Sequence, residues 1–303
     1  MAHGGNNLLH QFGSLEPKGG GVDAGMAADV FALQYILVHE QLNAILFVVH
    51  QTQNTDSGKI VEEKESLDNL LDRFAAIEGY KILIHGGGRS ATRIAEKLGI
   101  ESRMIDGRRV TDEATLQVVT MVYGGLVNKN IVAGLQARGV NAMGLTGADA
   151  NVLQAHKRPV KEVDWGFVGD IDKANGAMLE GLIKQGIVPI MAPLTHDGKG
   201  NLLNTNADTI AAETAKGLAP YFDVTLTYCF EHPGVMRNPE DSTSVIKLID
   251  SNVYKELLAD GTISGGMIPK IDNAFNALKG GVSKVIITKA DAIEGEQGTH
   301  IIL

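Results

Sequence analysis

Short apolar runs alternate with segments of helical periodicity along most of this chain, and that alternation constrains the fold more than any other feature. Ahead of the first run, apolar residues recur at helical spacing: Leu67, Leu70, Leu71, Phe74 and Ile77. The runs that predict strands are residues 81–85, 140–145, 187–191, 223–229 and 282–288. Such alternation predicts βαβ units and a mainly parallel sheet with helices on both faces. We therefore expect an α/β fold, a three-layer αβα sandwich.

The composition narrows the range of partners. Hydrophobic residues make up 44% of the 303 residues, which is enough to build a sizeable core. Lys and Arg number 27 against 36 Asp and Glu, so the formal net charge is −9 and we expect no nucleic-acid partner. The single cysteine, Cys229, excludes an internal disulfide and a CxxC metal site, fits a reducing cytoplasm, and is expected to be a small buried strand residue.

The first part of the chain has a different character. Residues 1–28 are rich in glycine without periodicity, which predicts a mobile tail. The apolar stretch 30–49 is interrupted by several polar residues, so we expect no transmembrane helix, and the start of the chain lacks the pattern of a signal peptide. We therefore expect a cytoplasmic protein without a membrane partner, in which residues 1–43 are an atypical N-terminal segment and 44–303 form the folded domain.

A run of three glycines, Gly86–Gly88, joins the predicted strand 81–85 to a segment of helical periodicity. Glycine lets the backbone approach a ligand closely, and a helix N-terminus offers N–H groups and the positive end of a dipole. The junction therefore suits a phosphate or a carboxylate. A tight turn that needs glycine for its geometry alone would read the same way, and the spacing matches neither a Rossmann nor a Walker A motif.

Three further motifs carry polar groups suited to an anionic ligand. In residues 107–111, the guanidinium of Arg109 could grip a carboxylate at two points, although a solvated charge pair is the plainer explanation. In residues 204–208, Asn204 and Asp208 precede a predicted helix, and helix capping accounts for only part of this polar cluster. Lys270 follows a glycine-rich turn and could reach a phosphate, or be an ordinary surface lysine. Trp165 is expected to pack within a hairpin.

Together, five motifs in this order resemble the acetylglutamate kinases of the amino-acid kinase family. The motifs are HGGGRSATRIAEKLGI, GRRVT, GLVNKNIVAGLQARGVNAMGLTGAD, LLNTNAD and GGMIPK. The resemblance covers about residues 58–303. It implies a carbamate-kinase-like αβα sandwich with a mainly parallel, eight-stranded central sheet. It also implies transfer of a phosphoryl group from ATP to the side-chain carboxylate of N-acetyl-L-glutamate, the second step of arginine biosynthesis.

The resemblance implies roles for particular residues on the substrate side. Gly87 and Gly88 would offer backbone N–H groups to the carboxylate that attacks ATP. Arg109 would hold the α-carboxylate, and Asn204 would help to position the substrate. Gly87, Gly88 and Arg109 belong to an N-terminal lobe, about residues 44–192, that would bind the acylated amino acid.

On the nucleotide side, the resemblance implies that residues 193–303 form an ATP-binding lobe. Lys270 would contact the nucleotide and neutralise charge on the migrating phosphoryl group. Asp208 would orient lysines rather than act as a base, because a carboxylate nucleophile is already ionised at neutral pH. The implied co-substrate is ATP with Mg²⁺, and the implied assembly is a homodimer.

The first strand departs from the family pattern, in which it ends in Lys-x-Gly-Gly with a lysine that contacts the phosphates. Counting back from Gly58 places Thr55 where the lysine belongs, and threonine cannot neutralise a phosphate. The literal Lys-x-Gly-Gly at residues 18–21 lies some 40 residues too early, and Lys59 is a poor substitute. The apolar run 44–49 stands in for the first strand. We therefore predict a kinase that is much slower than its family, or inactive.

Two alternatives remain open from the sequence. The acyl group could be succinyl, because some bacteria run this route on N-succinylated intermediates, and one sequence does not resolve the acyl pocket. The chain could also be a homologue that binds its ligands without chemistry. The missing lysine favours that second alternative, whereas Lys270, Asp208 and Asn204 count against it.

Overall fold

The computed structural model describes residues 45–49, 65–105, 108–230, 232–238, 240–265, 267–293 and 297–303, with the backbone alone for 45–49, 65–66, 230 and 291. The predictions that residues 1–43 form a mobile segment and that Thr55 replaces a lysine fall outside these described residues.

Strands and helices alternate along the described chain as predicted. The first elements are β1 Ile45–Val49, α1 Glu65–Ala76, β2 Tyr80–Ile84, α2 Gly88–Lys97, β3 Met104–Ile105, β4 Arg108–Arg109, α3 Glu113–Val119, a π-helical segment Thr120–Val127 and α4 Asn128–Gln136. The middle elements are β5 Ala142–Leu145, β6 Leu153–Lys157, β7 Gly169–Ala174, α5 Gly176–Lys184, β8 Val188–Met191, β9 Leu194–His196, β10 Leu202–Asn204 and α6 Ala207–Leu218. The last are β11 Val224–Phe230, β12 Leu248–Ile249, α7 Ser251–Ala259, α8 Met267–Lys279, β13 Lys284–Lys289 and β14 Thr299–Ile301.

An eight-stranded sheet in the order β12-β14-β13-β11-β1-β2-β8-β5 forms the centre of the fold. Strands β2, β8 and β5 pair in parallel, as do β11 and β13, and β1 runs antiparallel to both β2 and β11. Strands β2, β5, β8, β11 and β13 therefore all run in the same direction, which confirms the mainly parallel sheet. These are the five strands that the apolar runs predict, with ends displaced by only a few residues. Parallel strands buried on both faces need continuous apolar sequence, which is why the runs revealed them.

Strand β1 occupies the middle of the sheet but runs against its main neighbours. Ile45 pairs with Ile84 and Tyr228, at the carboxyl ends of β2 and β11, whereas Val49 pairs with Tyr80 and Val224 at their amino ends. The apolar run therefore does form a strand at the centre. However, it ends at the edge of the sheet opposite to the glycine turn that follows β2, so its end cannot supply a group at that turn.

Helices cover both faces of the central sheet. Adjacent residues of a strand point to opposite faces, so the side chains of β2 contribute to a core cluster on each side. Ile82 and Ile84 pack in a large cluster that includes Leu179 of α5 and Ile210 of α6. Leu83 packs on the other face in a second cluster, formed with these residues of α1 and α4: Leu70, Leu71, Phe74, Ile131 and Leu135. Cys229 of β11 is buried in this second cluster, as predicted. The three-layer αβα sandwich is confirmed.

Residues Glu113–Gln136 form one helical stretch that is long and apolar enough, by length and composition alone, to cross a membrane. It is the one such helix in the described part of the chain. Buried helices of globular proteins meet the same criteria. Val118 and Val122 belong to a third core cluster with α2, and Ile131 belongs to the second, so core packing accounts for much of this composition.

Candidate functional site

A cavity of about 420 Å³ opens at the carboxyl edge of the sheet, where β2 and β8 end. Ligands of open α/β sheets commonly bind at this edge. The cavity wall contains five of the six predicted site residues: Gly87, Gly88, Arg109, Asn204 and Asp208. The sixth, Lys270, lies directly behind the wall and bonds to Asp208. Residues from four separate motifs thus meet around one space.

The glycine turn forms one wall of the cavity, and its two glycines differ in what surrounds them. A Cβ at Gly87 would lie 2.7 Å from Cδ1 of the Tyr123 ring, so this position has no room for a side chain. A Cβ at Gly88 would meet nothing within 4 Å. Helix α2 begins at Gly88, so its unpaired N–H groups face the same region as the turn.

Alanine at these two glycines is expected to have separable effects. Gly87→Ala should push the Tyr123 ring aside and lower the free energy of unfolding by about 1–3 kcal/mol. Gly88→Ala should leave that free energy nearly unchanged but weaken the binding of an anionic ligand, because its methyl group enters the cavity. Urea unfolding and calorimetric titration of each variant test this. Equal loss of stability in both variants would contradict the packing difference.

Arg109 is buried beside the glycine turn, with only 7% of its surface exposed, whereas its neighbour Arg108 is exposed. Its Nη2 donates to the carbonyl of Gly88 at 2.8 Å and to Oγ1 of Thr92 at 2.7 Å. Its Nη1 donates to Oγ of Ser102 at 2.8 Å. These bonds fix the guanidinium against the turn, so a permanent positive charge stands at a defined place in the cavity.

Asn204 ends strand β10 on the opposite side of the cavity. Its Nδ2 donates to Oγ1 of Thr111 at 2.9 Å, and its backbone N–H donates to the carbonyl of Phe167 at 2.8 Å. Asn206 caps helix α6, because its Oδ1 accepts from the N–H of Thr209 at 3.1 Å. Capping therefore explains Asn206 but not Asn204, whose amide is held at the cavity wall by the hydroxyl of Thr111.

Asp208 and Lys270 form a buried ion pair. The Nζ of Lys270 donates to both carboxylate oxygens of Asp208, at 2.9 and 3.0 Å, and the two residues are 8% and 7% exposed. The hydroxyl of Tyr228 donates to the Asp208 carbonyl at 3.3 Å, and burial raises the pKa of this tyrosine well above its usual value. The two bonds fix the direction of the lysine ammonium.

His85 lies behind the glycine turn and is fully buried. Its Nδ1 lies 2.7 Å from the carbonyl of Gly86, and its Nε2 lies 3.1 Å from Nδ2 of Asn128. Burial lowers the pKa of His85, the bond to the Gly86 carbonyl partly opposes this, and the nearby charge of Lys129 adds a smaller decrease, so that the pKa is about 4. The imidazole is therefore neutral at physiological pH.

Acidification is expected to destabilise the protein through His85. An unfolded histidine titrates near 6.5, so between pH 6.5 and 4 the unfolded chain binds a proton that the folded chain does not. This contribution to the free energy of unfolding is present above pH 6.5 and falls by roughly 3 kcal/mol as the pH approaches 4. Urea unfolding across this range should show a steeper fall for the wild type than for His85→Asn, which cannot titrate. Identical slopes would contradict the assignment.

Three further residues line the cavity that the sequence did not single out as site residues. Arg158 bonds Asp170 through Nε and Nη2, the latter at 2.6 Å, and its guanidinium lies 5.7 Å from the Trp165 ring. Trp165 itself lines the cavity, and its carbonyl accepts from the N–H of Thr111 at 3.0 Å. Tyr123 packs against Gly87. None of them belongs to one of the motifs from which the site was predicted, so local patterns did not reveal them.

No group of three or more His, Cys, Asp or Glu side chains in the described ranges could hold a metal ion. The carboxylate in the cavity wall, that of Asp208, forms an ion pair with Lys270. Magnesium in nucleotide sites is held largely by phosphate oxygens and water, with one or two carboxylates. The described residues thus fit an ion that enters with phosphates rather than one held in a dedicated protein cage.

Together, the sheet, the glycine turn at a helix N-terminus and the buried cations define an α/β protein with a cavity suited to anionic small molecules at the carboxyl edge of its sheet. The model of the amino acid kinase family matches residues 57–289, and the chain belongs to this family. The matched region begins at residue 57, close to the start of the motif resemblance at about residue 58, and residues 1–56 lie outside it.

Two acetylglutamate kinases share well over half of their aligned residues with this chain. The acetylglutamate kinase of Phocaeicola vulgatus is 66% identical over 244 residues, which cover 80% of this chain and 95% of the relative. That of Bacteroides thetaiotaomicron is 64% identical with the same coverage. The identified resemblance is confirmed.

Solved structures support the fold. An N-acetylglutamate synthase from Neisseria gonorrhoeae superposes with a TM-score of 0.67 at 24% identity, over 78% of this chain and 56% of that one. A carbamate kinase from Giardia lamblia superposes with a TM-score of 0.56 at 15% identity, over 83% and 94%. The carbamate-kinase-like architecture is confirmed.

Proposed function

We propose that this chain is an acetylglutamate kinase. It transfers the γ-phosphoryl group of ATP to the side-chain carboxylate of N-acetyl-L-glutamate, the second step of arginine biosynthesis. The observation that carries the proposal is that the glycine turn, Arg109 and the Lys270–Asp208 pair meet at one cavity. The relatives' names favour the acetyl substrate over the succinyl alternative and over a binding protein without activity.

Substrate binding follows from the anion-binding groups of the N-terminal lobe, residues 44–192, and from Asn204 in the lobe of residues 193–303. The fixed guanidinium of Arg109 holds the α-carboxylate, and the amide of Asn204 helps to position the substrate from the opposite wall. The backbone N–H groups of Gly87 and Gly88 hold the side-chain carboxylate that attacks ATP. Because that carboxylate is already ionised, the reaction needs no general base.

Transfer depends on positioning and charge neutralisation. A carboxylate oxygen forms a bond to the γ-phosphorus as the bond to the β-γ bridging oxygen breaks, and ADP departs with that electron pair. Lys270, in the ATP-binding lobe of residues 193–303, neutralises charge on the migrating phosphoryl group. Asp208 orients the lysine, as their two bonds suggest. Magnesium would be bound chiefly through the ATP phosphates and water, and it would shield the phosphate charge.

A steady-state assay tests the proposal. We expect ADP release that depends on N-acetyl-L-glutamate and on magnesium, and a smaller kcat/KM with N-succinyl-L-glutamate. ADP release that ignores both acylated amino acids would overturn the proposed function. A larger kcat/KM for the succinyl substrate would replace the acetyl assignment and leave the kinase chemistry intact.

We further propose a cytoplasmic homodimer that uses the exposed apolar side chains of the long helical stretch. Met121 is 56% exposed and Leu126 is 36% exposed, although both lie in the most apolar segment of that stretch. Met121→Glu is expected to shift the protein from dimer to monomer in sedimentation experiments, because a charge at an apolar interface is costly. A wild-type monomer at micromolar concentration would contradict the proposal.

A further inference from the structure

The buried His85 has no role in the transfer described above, yet it lies directly before the glycine turn. It is the last residue before Gly86, and its backbone N–H donates to the carbonyl of Met191 at 3.1 Å. Its ring contacts the Gly86 carbonyl on one side and Asn128 on the other, at 2.7 and 3.1 Å. The ring therefore connects the glycine turn to helix α4, which begins at Asn128.

The surrounding bonds determine where the ring carries its proton. The amide nitrogen of Asn128 donates to the carbonyl of Ile190 at 2.8 Å, and its Oδ1 accepts from Lys129 at 3.2 Å. These contacts fix the amide with its nitrogen toward His85, so Nε2 of the ring must accept. The proton of the neutral imidazole then sits on Nδ1, where it is donated to the Gly86 carbonyl.

Asn128 is held tightly enough to impose this arrangement. It is buried to 1% exposure at the start of α4, and Gly144 of β5 leaves room for its amide. A Cβ at Gly144 would lie 1.8 Å from Oδ1 of Asn128, so any side chain there would displace the amide. This accounts for two motif residues, Asn128 and Gly144, whose roles the motif alone does not reveal.

The consequence for the turn follows from peptide geometry. The C=O of Gly86 and the N–H of Gly87 belong to one peptide group, and in a trans peptide they point in opposite directions. A bond that draws the Gly86 carbonyl toward the buried His85 therefore turns the Gly87 N–H away from it, toward the cavity that Gly86, Gly87 and Gly88 line. We propose that His85 is a positioning residue that, anchored by Asn128, aims the Gly87 N–H at the substrate carboxylate.

This inference rests on the proposed function, and a pair of variants tests it. His85→Gln keeps an acceptor for Asn128 near the position of Nε2 but loses the donor to Gly86. His85→Asn keeps a donor near the position of Nδ1 but loses the contact with Asn128. We expect His85→Gln to lower kcat/KM for N-acetyl-L-glutamate by about 10- to 100-fold, with the KM for ATP within about twofold of wild type.

We expect the kcat/KM of His85→Asn to be at least about tenfold higher than that of His85→Gln. The two variants should be similarly destabilised, because each lacks one buried hydrogen bond. Equal activity losses in the two variants, or a parallel rise in the KM for ATP, would show a merely structural role and overturn the inference. So would a folded His85→Gln variant with wild-type kcat/KM.

A measurement on the wild type covers the case in which His85→Gln does not fold. Long-range ¹⁵N–¹H NMR correlations distinguish the two neutral tautomers of histidine. A proton on Nδ1 supports the inference, and a proton on Nε2 overturns it. Because this readout needs no turnover, it is independent of the proposed function, which fails separately if the wild type shows no ADP release dependent on an acylated glutamate.

Discussion

Replacing Lys270 by methionine is expected to lower kcat by about 100- to 1,000-fold, the largest effect of any single substitution in this site. Phosphoryl transfer offers the protein little to do beyond positioning and charge neutralisation, so loss of a directed cation removes a large part of catalysis. Lys270 is such a cation, since Asp208 binds its Nζ through both oxygens in a buried setting. Single-turnover measurements with saturating substrates give the rate of the transfer step.

The same substitution also leaves Asp208 buried without its partner, which costs about 3–5 kcal/mol of stability. A double variant, Lys270→Met with Asp208→Asn, separates the two effects because it removes both charges. We expect the double variant to regain most of the stability and none of the rate. If the double variant regained the rate as well, the loss would be due to the unpaired carboxylate, and the role of Lys270 as the transferring cation would be wrong.

The second large effect concerns the start of the chain. Replacing residues 1–54 with a short strand and placing lysine at position 55 is expected to raise kcat by about 100-fold or more, because it restores a cation at the phosphates. Thr55 cannot supply that charge. Strand β1 does not compensate, since it ends at the edge of the sheet away from the glycine turn. Steady-state ADP release by both proteins measures the gain.

The matched control carries the same replacement with Thr55 retained. We expect this control to stay slow, which would assign the gain to the lysine rather than to the new strand. A turnover of about 10 s⁻¹ by the chain as it stands, a typical enzyme rate, would contradict the prediction of impaired activity. No gain from the lysine would instead locate the defect elsewhere in the site.

The central sheet could be predicted from sequence because its strands are apolar throughout. The five parallel strands are buried on both faces, so their sequences form continuous apolar runs. The smaller sheet, in the order β10-β9-β6-β7, was not predicted. Its strands are short and partly exposed, and β7 reads GDIDKA, which has no clear periodicity. The antiparallel direction of β1 follows from its pairing partners, which are distant in sequence.

The site was predictable only where a motif carries its own chemistry. The glycine turn, Arg109, Asn204 and Lys270 each belong to a local motif, and the structure places them around or directly behind the wall of one cavity. The contributions of Trp165 and His85 were not predictable, because each depends on contacts with distant residues. Trp165 was expected to pack within a hairpin, and the structure also places it in the cavity wall.

The central claim is that Arg109, Lys270 and the backbone N–H groups of the glycine turn bring a carboxylate and ATP together for transfer. Trapping of the acyl phosphate tests this claim most directly. The enzyme, at a concentration comparable to that of ATP, is incubated with magnesium, N-acetyl-L-glutamate and hydroxylamine, so that even a slow transfer is detected. We expect the γ-hydroxamate of N-acetylglutamate to form only when both substrates are present, and to be lost in Lys270→Met. Binding of both substrates with no hydroxamate, or release of ADP without it, would contradict the claim.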